Sequence, residues 1–405
     1  MGLPAGRVPR TLRGWSADRL PAGLLGVLGL WLAVRLGLSL VGLVWAGTER
    51  LPGPCHFELA LDGWTTFPPL DDHGWAFPLV GLWQRWDACW YTKIAAHGYE
   101  PGTSSTAFYP LLPALMRGVG VLTGGDVALA GLLINAVATV AGFIGLRQLV
   151  SEDFGPHLAD RTVSYVAIFP AAFFLFAPFS EALFLAGSVW SLLGARRRDW
   201  RLAGAAAALA ALARPLGAFL VLPLAWEAWS AWRERPRRGP RWRLLPGAVL
   251  GTVAPAIAAG LFAIWTVVHV GQSPLAAQSL WGGQDLHAPW DTLGAAVSWA
   301  IDKGDAIEGL NAVALVGFAV LFLAGLRWLP ASYSLLVLPQ LALVSMRLQP
   351  TPLTSTTRYV LVLFPCFVVL AWLGERRGFH RAWLILSLLG LATLTGLFVR
   401  GDFVA

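Results

Sequence analysis

The 405-residue sequence is poor in charge, in lysine and in cysteine. Charged residues make up 13% of it, against about 25% in an ordinary soluble domain, which argues against a water-soluble protein. The only lysines are Lys93 and Lys303, so the net charge of +7 comes mainly from arginine. Cys55, Cys89 and Cys366 match no metal-ligand spacing and are too few for a disulfide framework.

Hydrophobic residues, by contrast, make up 56% of the chain, and the mean hydropathy is +0.62. Many separate apolar runs approach the roughly 17 to 25 residues that a helix needs to cross a bilayer. The basic residues lie in short loops between these runs, which is typical of topology signals and does not indicate a nucleic-acid partner. The sequence therefore predicts an all-α polytopic membrane protein, with residues 1–405 forming one integral-membrane domain.

The distribution of arginine predicts the topology. Four arginines precede an apolar run at 20–47 that is too long for a signal peptide, so the amino end is expected in the cytoplasm. The basic clusters at 196–198, 233–243 and 375–381 all become cytoplasmic only if 108–124 does not cross the membrane. The predicted crossings are then, approximately, 20–47, 126–150, 162–178, 180–195, 199–213, 215–232, 244–270, 309–328, 331–348, 358–374 and 382–400.

Two long segments are predicted to be extracytoplasmic. The first covers residues 48–125 and is acidic and rich in tryptophan; the second covers residues 271–308. We expect short helices on the membrane surface in the first segment, one of them carrying residues 86–96, followed by a juxtamembrane or re-entrant helix at 108–124. Cys55 and Cys89 share the first segment and could pair there if it faces an oxidising compartment.

The stretch from Arg85 to Tyr99 reads RWDACWYTKIAAHGY and combines one carboxylate, Asp87, with basic and aromatic residues. A carboxylate that indole rings partly shield from water suits the role of a general base. The alternative is an aromatic belt at the membrane interface that contains one solvated aspartate.

Three ionisable residues near predicted helix ends are also candidates, because a charge at membrane depth is costly and often functional. Glu181 would bind acceptor sugar hydroxyls or orient a basic group. Arg214 and Arg358 would bind an anion. The alternatives are that Ser180 caps a helix whose dipole Glu181 complements, and that Arg358, like Arg347, reaches toward lipid phosphate.

These residues favour a glycosyl transfer from a lipid-linked donor. Aromatic rings and carboxylates bind sugars, arginines bind phosphates, and no phosphate-binding loop or dinucleotide fingerprint indicates a soluble nucleotide cofactor. A sugar linked to polyprenyl phosphate fits, because phosphate leaves as a stable anion and one carboxylate then suffices. Asp87 would deprotonate the acceptor hydroxyl, and Arg214 and Arg358, together with Arg85, would stabilise the leaving phosphate.

The same residues resemble a known family, the PIG-V family of GPI mannosyltransferases and their bacterial relatives. The resemblance spans roughly 85–217, with a further match late in the chain. It implies a GT-C bundle of about 11 transmembrane helices, mannose as the sugar, a dolichyl-type phosphate as the donor and a glycolipid as the acceptor, with no metal or other cofactor. The motifs that carry it are Arg85-Trp86-Asp87-Ala88, Ile94-Ala95, His97-Gly98-Tyr99, Phe108-Tyr109-Pro110, Phe179-Ser180-Glu181, Arg214-Pro215-Leu216-Gly217 and Arg358-Tyr359.

The expected site therefore has Asp87 as the catalytic base on the outer face of the cell membrane. High arginine and alanine use is typical of a GC-rich bacterial genome, so a cell-envelope acceptor is expected in place of a GPI anchor. A polytopic carrier or flippase for lipids or sugars is the main alternative, and a non-catalytic scaffold is another. The predicted substrate-binding residues are Arg85, Trp86, Trp90, Tyr91, His97, Tyr109, Glu181, Arg214 and Arg358.

Overall fold

The computed structural model describes residues 20–46, 76–77, 79–234, 245–280 and 286–404. Over these residues the chain is helical and has no β-strand, only an isolated bridge between Leu286 and Arg347. The helices in these ranges are α1 (Leu20–Ala46), α2 (Asp87–His97), α3 (Leu111–Gly120), α4 (Val127–Phe154), α5 (Pro156–Ala167), α6 (Glu181–Arg196), α7 (Trp200–Ala213), α8 (Val221–Arg233), α9 (Leu245–His269), α10 (Pro274–Ser279), α11 (Pro289–Lys303), α12 (Ala306–Gly325), α13 (Ala331–Met346), α14 (Thr356–Leu361), α15 (Phe364–Leu373) and α16 (Arg377–Arg400).

Five helices of the described ranges are long and apolar enough to cross a membrane by length and composition. They are α1, α4, α9, α12 and α16, and each contains a window with a mean hydropathy of 2.0 or more. Several further apolar helices, such as α7 and α13, are shorter. The all-α, multi-pass character expected from the sequence agrees with this architecture.

The predicted count of about eleven crossings is not confirmed, because several apolar runs are broken. Prolines lie at the breaks, where the ring removes a backbone donor and favours a helix end, although α9 and α13 continue through Pro255 and Pro339. Pro170 and Pro178 lie in the irregular segment that follows α5, and Pro365 lies at the start of α15. The stretches predicted as single spans but divided in the structure are 162–178 and 358–374. The predicted boundary between 199–213 and 215–232 agrees with the structure, in which α7 ends at Ala213 and a 3-10 turn begins at Pro215.

The centre of the helix bundle is tightly packed around α6 and α7. Helix α6 lies between α4 and α7, and α7 also packs against α9. Gly204 of α7 approaches Gly251 of α9 so closely that a Cβ on Gly204 would lie 2.7 Å from the Cα of Gly251. Small residues permit such close backbone contact between helices in apolar surroundings.

An irregular buried segment, residues 168–180, leads into α6 and fixes where that helix begins. Irregular backbone is tolerated at membrane depth only when protein groups satisfy its polar atoms. Asn135 Nδ2 donates to the carbonyls of Ala177 and Phe179, and Thr139 Oγ1 donates to Leu175 O at 2.6 Å. These side chains of α4 therefore hold the segment that precedes Glu181.

Arg35, in α1, also supports this region. Its guanidinium donates to Phe176 O at 3.2 Å and to Leu79 O at 3.1 Å, and it lies over the Trp83 ring. These contacts satisfy a guanidinium group that lies within the first predicted span.

The predicted helix at residues 86–96 is confirmed as α2, with Trp86 as its N-cap residue. Helix α3 has 10 residues, about 15 Å of rise, which is too short to cross a bilayer and agrees with a juxtamembrane helix. Residues 48–75, including Cys55, lie outside the described ranges. Helix α10, from the second predicted outer loop, packs on the 3-10 turn Ser104–Ala107 of the first, so the two loops lie on one side.

Candidate active site

Four charged side chains from distant parts of the sequence form one ion-pair network. Arg358 Nη1 donates to Asp87 Oδ2, and Arg358 Nε donates to Glu181 Oε1. Arg214 Nη1 donates to the same Glu181 oxygen at 2.5 Å. The order in space is therefore Asp87, Arg358, Glu181, Arg214, with two carboxylates balancing two guanidinium groups.

Helix ends supply these side chains. Asp87 is the first residue of α2, and Glu181 is the first residue of α6, where a helix dipole favours a carboxylate. Arg214 lies in extended backbone directly after α7, and Arg358 lies within α14. Breaks between short helices therefore bring ionisable groups together that continuous helices would have kept apart.

The capping alternative for Ser180 is not what the structure shows. Ser180 has α-helical backbone angles, φ −78° and ψ −9°, and its side chain makes no capping hydrogen bond. Glu181 has 0% exposure and bonds to Arg214 and Arg358, while its Oε2 has no partner among the described residues. Of the two roles expected for Glu181, this geometry favours the orientation of basic groups.

Asp87 is the most exposed member of the network. The side chains of Arg214, Glu181 and Arg358 are 6%, 0% and 9% exposed, whereas that of Asp87 is 29% exposed. Asp87 is consequently the member that a molecule arriving from outside can reach.

Aromatic rings line the network. The Arg358 guanidinium carbon lies 4.8 Å from the centre of the Phe179 ring, and that of Arg214 lies 5.1 Å from the centre of the Tyr359 ring. Cation–π contacts of this kind stabilise a desolvated guanidinium group. Neither Phe179 nor Tyr359 is among the predicted site residues, although both belong to motifs that carry the family resemblance.

Tyr91 lies beside the network, one helical turn after Asp87. Burial, reinforced by the negative charge of Asp87, raises the pKa of the Tyr91 phenol well above its usual range. The phenol therefore remains protonated and is a hydrogen-bond donor. The structure thus brings together five of the predicted site residues: Asp87, Tyr91, Glu181, Arg214 and Arg358.

Other predicted site residues make their contacts elsewhere. Trp90 stacks on Phe108 with the ring centres 5.2 Å apart, and Tyr109 packs against Phe262. His97 is exposed at the far end of α2, about 15 Å along the helix axis from Asp87.

Arg85 binds the backbone of the carboxyl-terminal helix. Its Nε donates to Val399 O at 3.2 Å and its Nη1 donates to Gln84 O at 3.1 Å. The cation that pairs with Asp87 is Arg358. The two backbone contacts of Arg85 therefore favour a role in holding the loop that precedes Asp87.

Trp86, directly before Asp87, has a backbone conformation that side chains rarely adopt, with φ +53° and ψ −126°. Its Nε1 donates to Asp402 O at 3.3 Å, and its ring lies nearly perpendicular to that of Phe403 with the ring centres 4.8 Å apart. Such strain persists where the surroundings hold a residue in place, and it is common at functional sites.

This strain gives a prediction for two small substitutions of Trp86. Glycine adopts a positive φ without penalty and alanine does not. Trp86→Ala, which loses the side-chain contacts and keeps the strain, should therefore be less stable than Trp86→Gly by about 1 kcal/mol. Thermal melting of the two purified variants measures this, and a higher melting temperature for the alanine variant would contradict the backbone geometry.

Lys93, in the middle of α2, gives a pH-dependent prediction. Desolvation lowers its pKa from 10.5 to about 8, while Glu100 opposes the shift. The unfolded chain therefore binds more protons than the folded chain between about pH 8 and 10.5, so the Lys93 contribution to stability increases as pH rises through this window. As pH rises over that range, the melting temperature of wild type should increase relative to that of Lys93→Met. Lys303→Met, which changes the exposed second lysine, is the control and should track wild type.

A separate buried network lies at the other end of α6. Arg196 pairs with Asp153 and Glu227 at 3.3 and 3.0 Å, and Ser332 Oγ donates to Glu227 at 2.7 Å. Fifteen residues separate Arg196 from Glu181, about 22 Å along the helix. Glu227, near the end of the predicted span 215–232, is buried in this network.

An apolar groove of about 320 Å³ lies between α7, α8 and α9. Trp200, Trp229 and Val249 contribute to its walls, and none of the four charged site residues lines it. Among the described residues, no three His, Cys, Asp or Glu side chains are grouped in a way that could hold a metal ion.

No family model and no curated protein sequence matches the chain. Three solved structures of an oligosaccharyltransferase from the archaeon Archaeoglobus fulgidus are similar to it at 13–14% identity. The complex with zinc and sulfate has a TM-score of 0.37 over 78% of this chain, the apo form 0.40 over 92%, and AglB with an inhibitory peptide and a dolichol-phosphate 0.39 over 96%. The match covers 48–56% of those chains, so this chain spans about half of their length.

Proposed function

We propose that this protein is an inverting glycosyltransferase with a GT-C-like fold that moves mannose from a polyprenyl-phosphate donor to a glycolipid or other cell-envelope acceptor outside the membrane. The observation that carries the proposal is the network itself: a partly exposed carboxylate, Asp87, beside two buried arginines that share Glu181. It supplies a base and a phosphate-binding pair within one site.

Asp87 is the general base in this proposal. Its carboxylate accepts the proton of an acceptor hydroxyl, and the hydroxyl oxygen forms a bond to the anomeric carbon of the donor sugar. The bond between that carbon and the phosphate oxygen breaks on the opposite face, and the bonding electrons leave with the phosphate. The configuration at the anomeric carbon therefore inverts.

Arg358 and Arg214 stabilise the leaving phosphate. Its negative charge grows from −1 in the sugar phosphodiester to about −2 in the lipid monophosphate. Fixed guanidinium groups nearby stabilise this added negative charge. Glu181 accepts from both arginines through one oxygen and sets their spacing. A second carboxylic acid is not needed, because a phosphate leaves without being protonated.

Arg358 couples the two halves of the reaction, because it contacts the base directly. When Asp87 takes up the acceptor proton, it becomes neutral and its attraction for Arg358 weakens. The same guanidinium group then becomes more available to the phosphate, at the moment when the phosphate gains charge.

A transfer assay tests this function. Purified protein in liposomes is given polyprenyl-phosphate-[14C]mannose and a membrane lipid extract, and labelled products are separated and their anomeric configuration determined. The proposal predicts a new mannosylated product with inverted configuration, and release of polyprenyl phosphate in equal amount. Movement of labelled donor between leaflets without any product would support the carrier alternative and contradict the proposal.

A further inference from the structure

Arg358 lies in the short helix α14, and the chain around this helix is hydrogen-bonded to a neighbouring helix. The loop, residues 347–355, contains two prolines and passes through Ser355, which has φ +67°. A six-residue helix after such a loop has little stability of its own. Something outside it must set the position of Arg358.

Helix α12 supplies that support through two buried side chains. Glu308 Oε1 accepts a hydrogen bond from Leu353 N at 2.6 Å, and Asn311 Oδ1 accepts one from Thr357 N at 3.0 Å. Asn311 Nδ2 lies 3.4 Å from Glu308 Oε2 and links the two. Asn311 therefore satisfies a backbone donor in the first turn of α14 that has no partner within its own helix, one residue before Arg358.

Glu308 is a buried carboxylate whose hydrogen-bond donors, among the residues that the structure describes, include no cation. It is 1% exposed, and within the described ranges its hydrogen bonds come from a backbone amide and a side-chain amide, with no arginine or lysine among the donors. A buried carboxylate without a cation is costly. Its position in the first turn of α12, where the helix dipole favours negative charge, offsets part of this cost.

We propose that Glu308 and Asn311 are positioning residues that hold Arg358 in register with Glu181 and the donor phosphate. This inference rests on the proposed function. The hydrogen bonds of Glu308 and Asn311 go to the backbone around Arg358 and to each other. Each residue therefore acts on the ion-pair network through the backbone that carries Arg358.

A double-mutant cycle tests this, with the affinity for polyprenyl monophosphate in liposomes as the readout. Glu308→Ala should weaken binding about tenfold, roughly the effect of losing one well-placed charge contact. Arg358→Ala should weaken it more. The double variant Glu308→Ala/Arg358→Ala should match Arg358→Ala within about twofold, because residues that act through one group are not additive.

Two further variants keep the test informative if Glu308→Ala folds poorly. Glu308→Gln retains an oxygen that accepts from Leu353 N and should keep most of the wild-type affinity. Asn311→Ala should weaken binding, and this effect should likewise disappear when Arg358 is already replaced.

Glu227→Ala is the control, since it removes a buried carboxylate from the separate network at the far end of α6. It should lower the melting temperature and leave affinity unchanged.

The outcomes separate the inference from the function on which it rests. If Arg358→Ala lowers affinity while Glu308→Ala and Asn311→Ala do not, or if their effects add to that of Arg358→Ala, the positioning role is wrong and the proposed function stands. If Arg358→Ala itself leaves lipid-phosphate binding unchanged, the proposed function is contradicted.

Discussion

Replacing Asp87 with Asn is expected to reduce sugar transfer by about 10²- to 10⁴-fold, the range that a general base contributes, while lipid-phosphate binding becomes stronger. Asparagine has nearly the shape of aspartate but carries no charge and cannot accept the acceptor proton. Arg358 then loses one of its two carboxylate partners, so its positive charge is available to the phosphate. We expect the affinity for polyprenyl monophosphate to rise about tenfold.

The opposite directions of these two effects make the Asp87 prediction specific. A variant that only unfolds the site would lose both transfer and binding. Asp199→Asn is the matched control: Asp199 caps α7 by accepting from Leu202 N at 3.0 Å, and asparagine caps a helix equally well. If Asp87→Asn transfers sugar at the wild-type rate, Asp87 is not the base. If its affinity for polyprenyl monophosphate is unchanged, Asp87 does not compete with the phosphate for Arg358.

Replacing Glu181 with Ala should be among the most destabilising changes in this part of the chain. Its carboxylate has 0% exposure and bonds to both Arg214 and Arg358. Removing one member of a buried ion pair leaves uncompensated charge behind and typically costs about 3–5 kcal/mol. Thermal and denaturant unfolding of the purified variant measure this, and transfer should be lost as well because the arginines are no longer held together.

The control for Glu181 is a carboxylate of the same type in an exposed pair. Glu152 bonds to Arg197 at 2.5 Å, but its side chain is 44% exposed. Exposed pairs of this kind contribute about 0–1 kcal/mol, so Glu152→Ala should unfold close to wild type. Comparable unfolding of Glu181→Ala and wild type would show that the buried network does not hold the helix ends together.

The sequence is most informative where the signals are local. The helix after Trp86 and the apolar character of α1, α4, α9, α12 and α16 follow from composition and periodicity, and both agree with the structure. The division of the apolar runs at 162–178 and 358–374 does not follow from the sequence. The prolines at these breaks are visible in it, but a proline within an apolar run need not end a helix, as Pro255 in α9 and Pro339 in α13 show.

The residues of the candidate site can be predicted from the sequence, but the ion pairs that they form cannot. Asp87, Glu181, Arg214 and Arg358 each stand out as costly charges or as parts of motifs and are predicted to share one site, but the sequence does not indicate which carboxylate pairs with which arginine. The pairing of Asp87 with Arg358, and not with the neighbouring Arg85, depends on how the helix ends meet.

Glu308 and Asn311 are absent from the predicted site altogether. Their partners around Arg358 are the backbone amides of Leu353 and Thr357. Every residue except proline carries such a donor, so a contact of this kind leaves no signal in a sequence.

The most direct test of the central claim is a structure of Asp87→Asn bound to a polyprenyl-phosphate-sugar donor, since this variant should bind the donor without consuming it. Phosphate oxygens should lie within about 3 Å of the guanidinium groups of Arg214 and Arg358. The substituted side chain at position 87 should face the side of the anomeric carbon opposite the phosphate. A donor phosphate bound away from both arginines, or a side chain at position 87 on the same side as the phosphate, would contradict it.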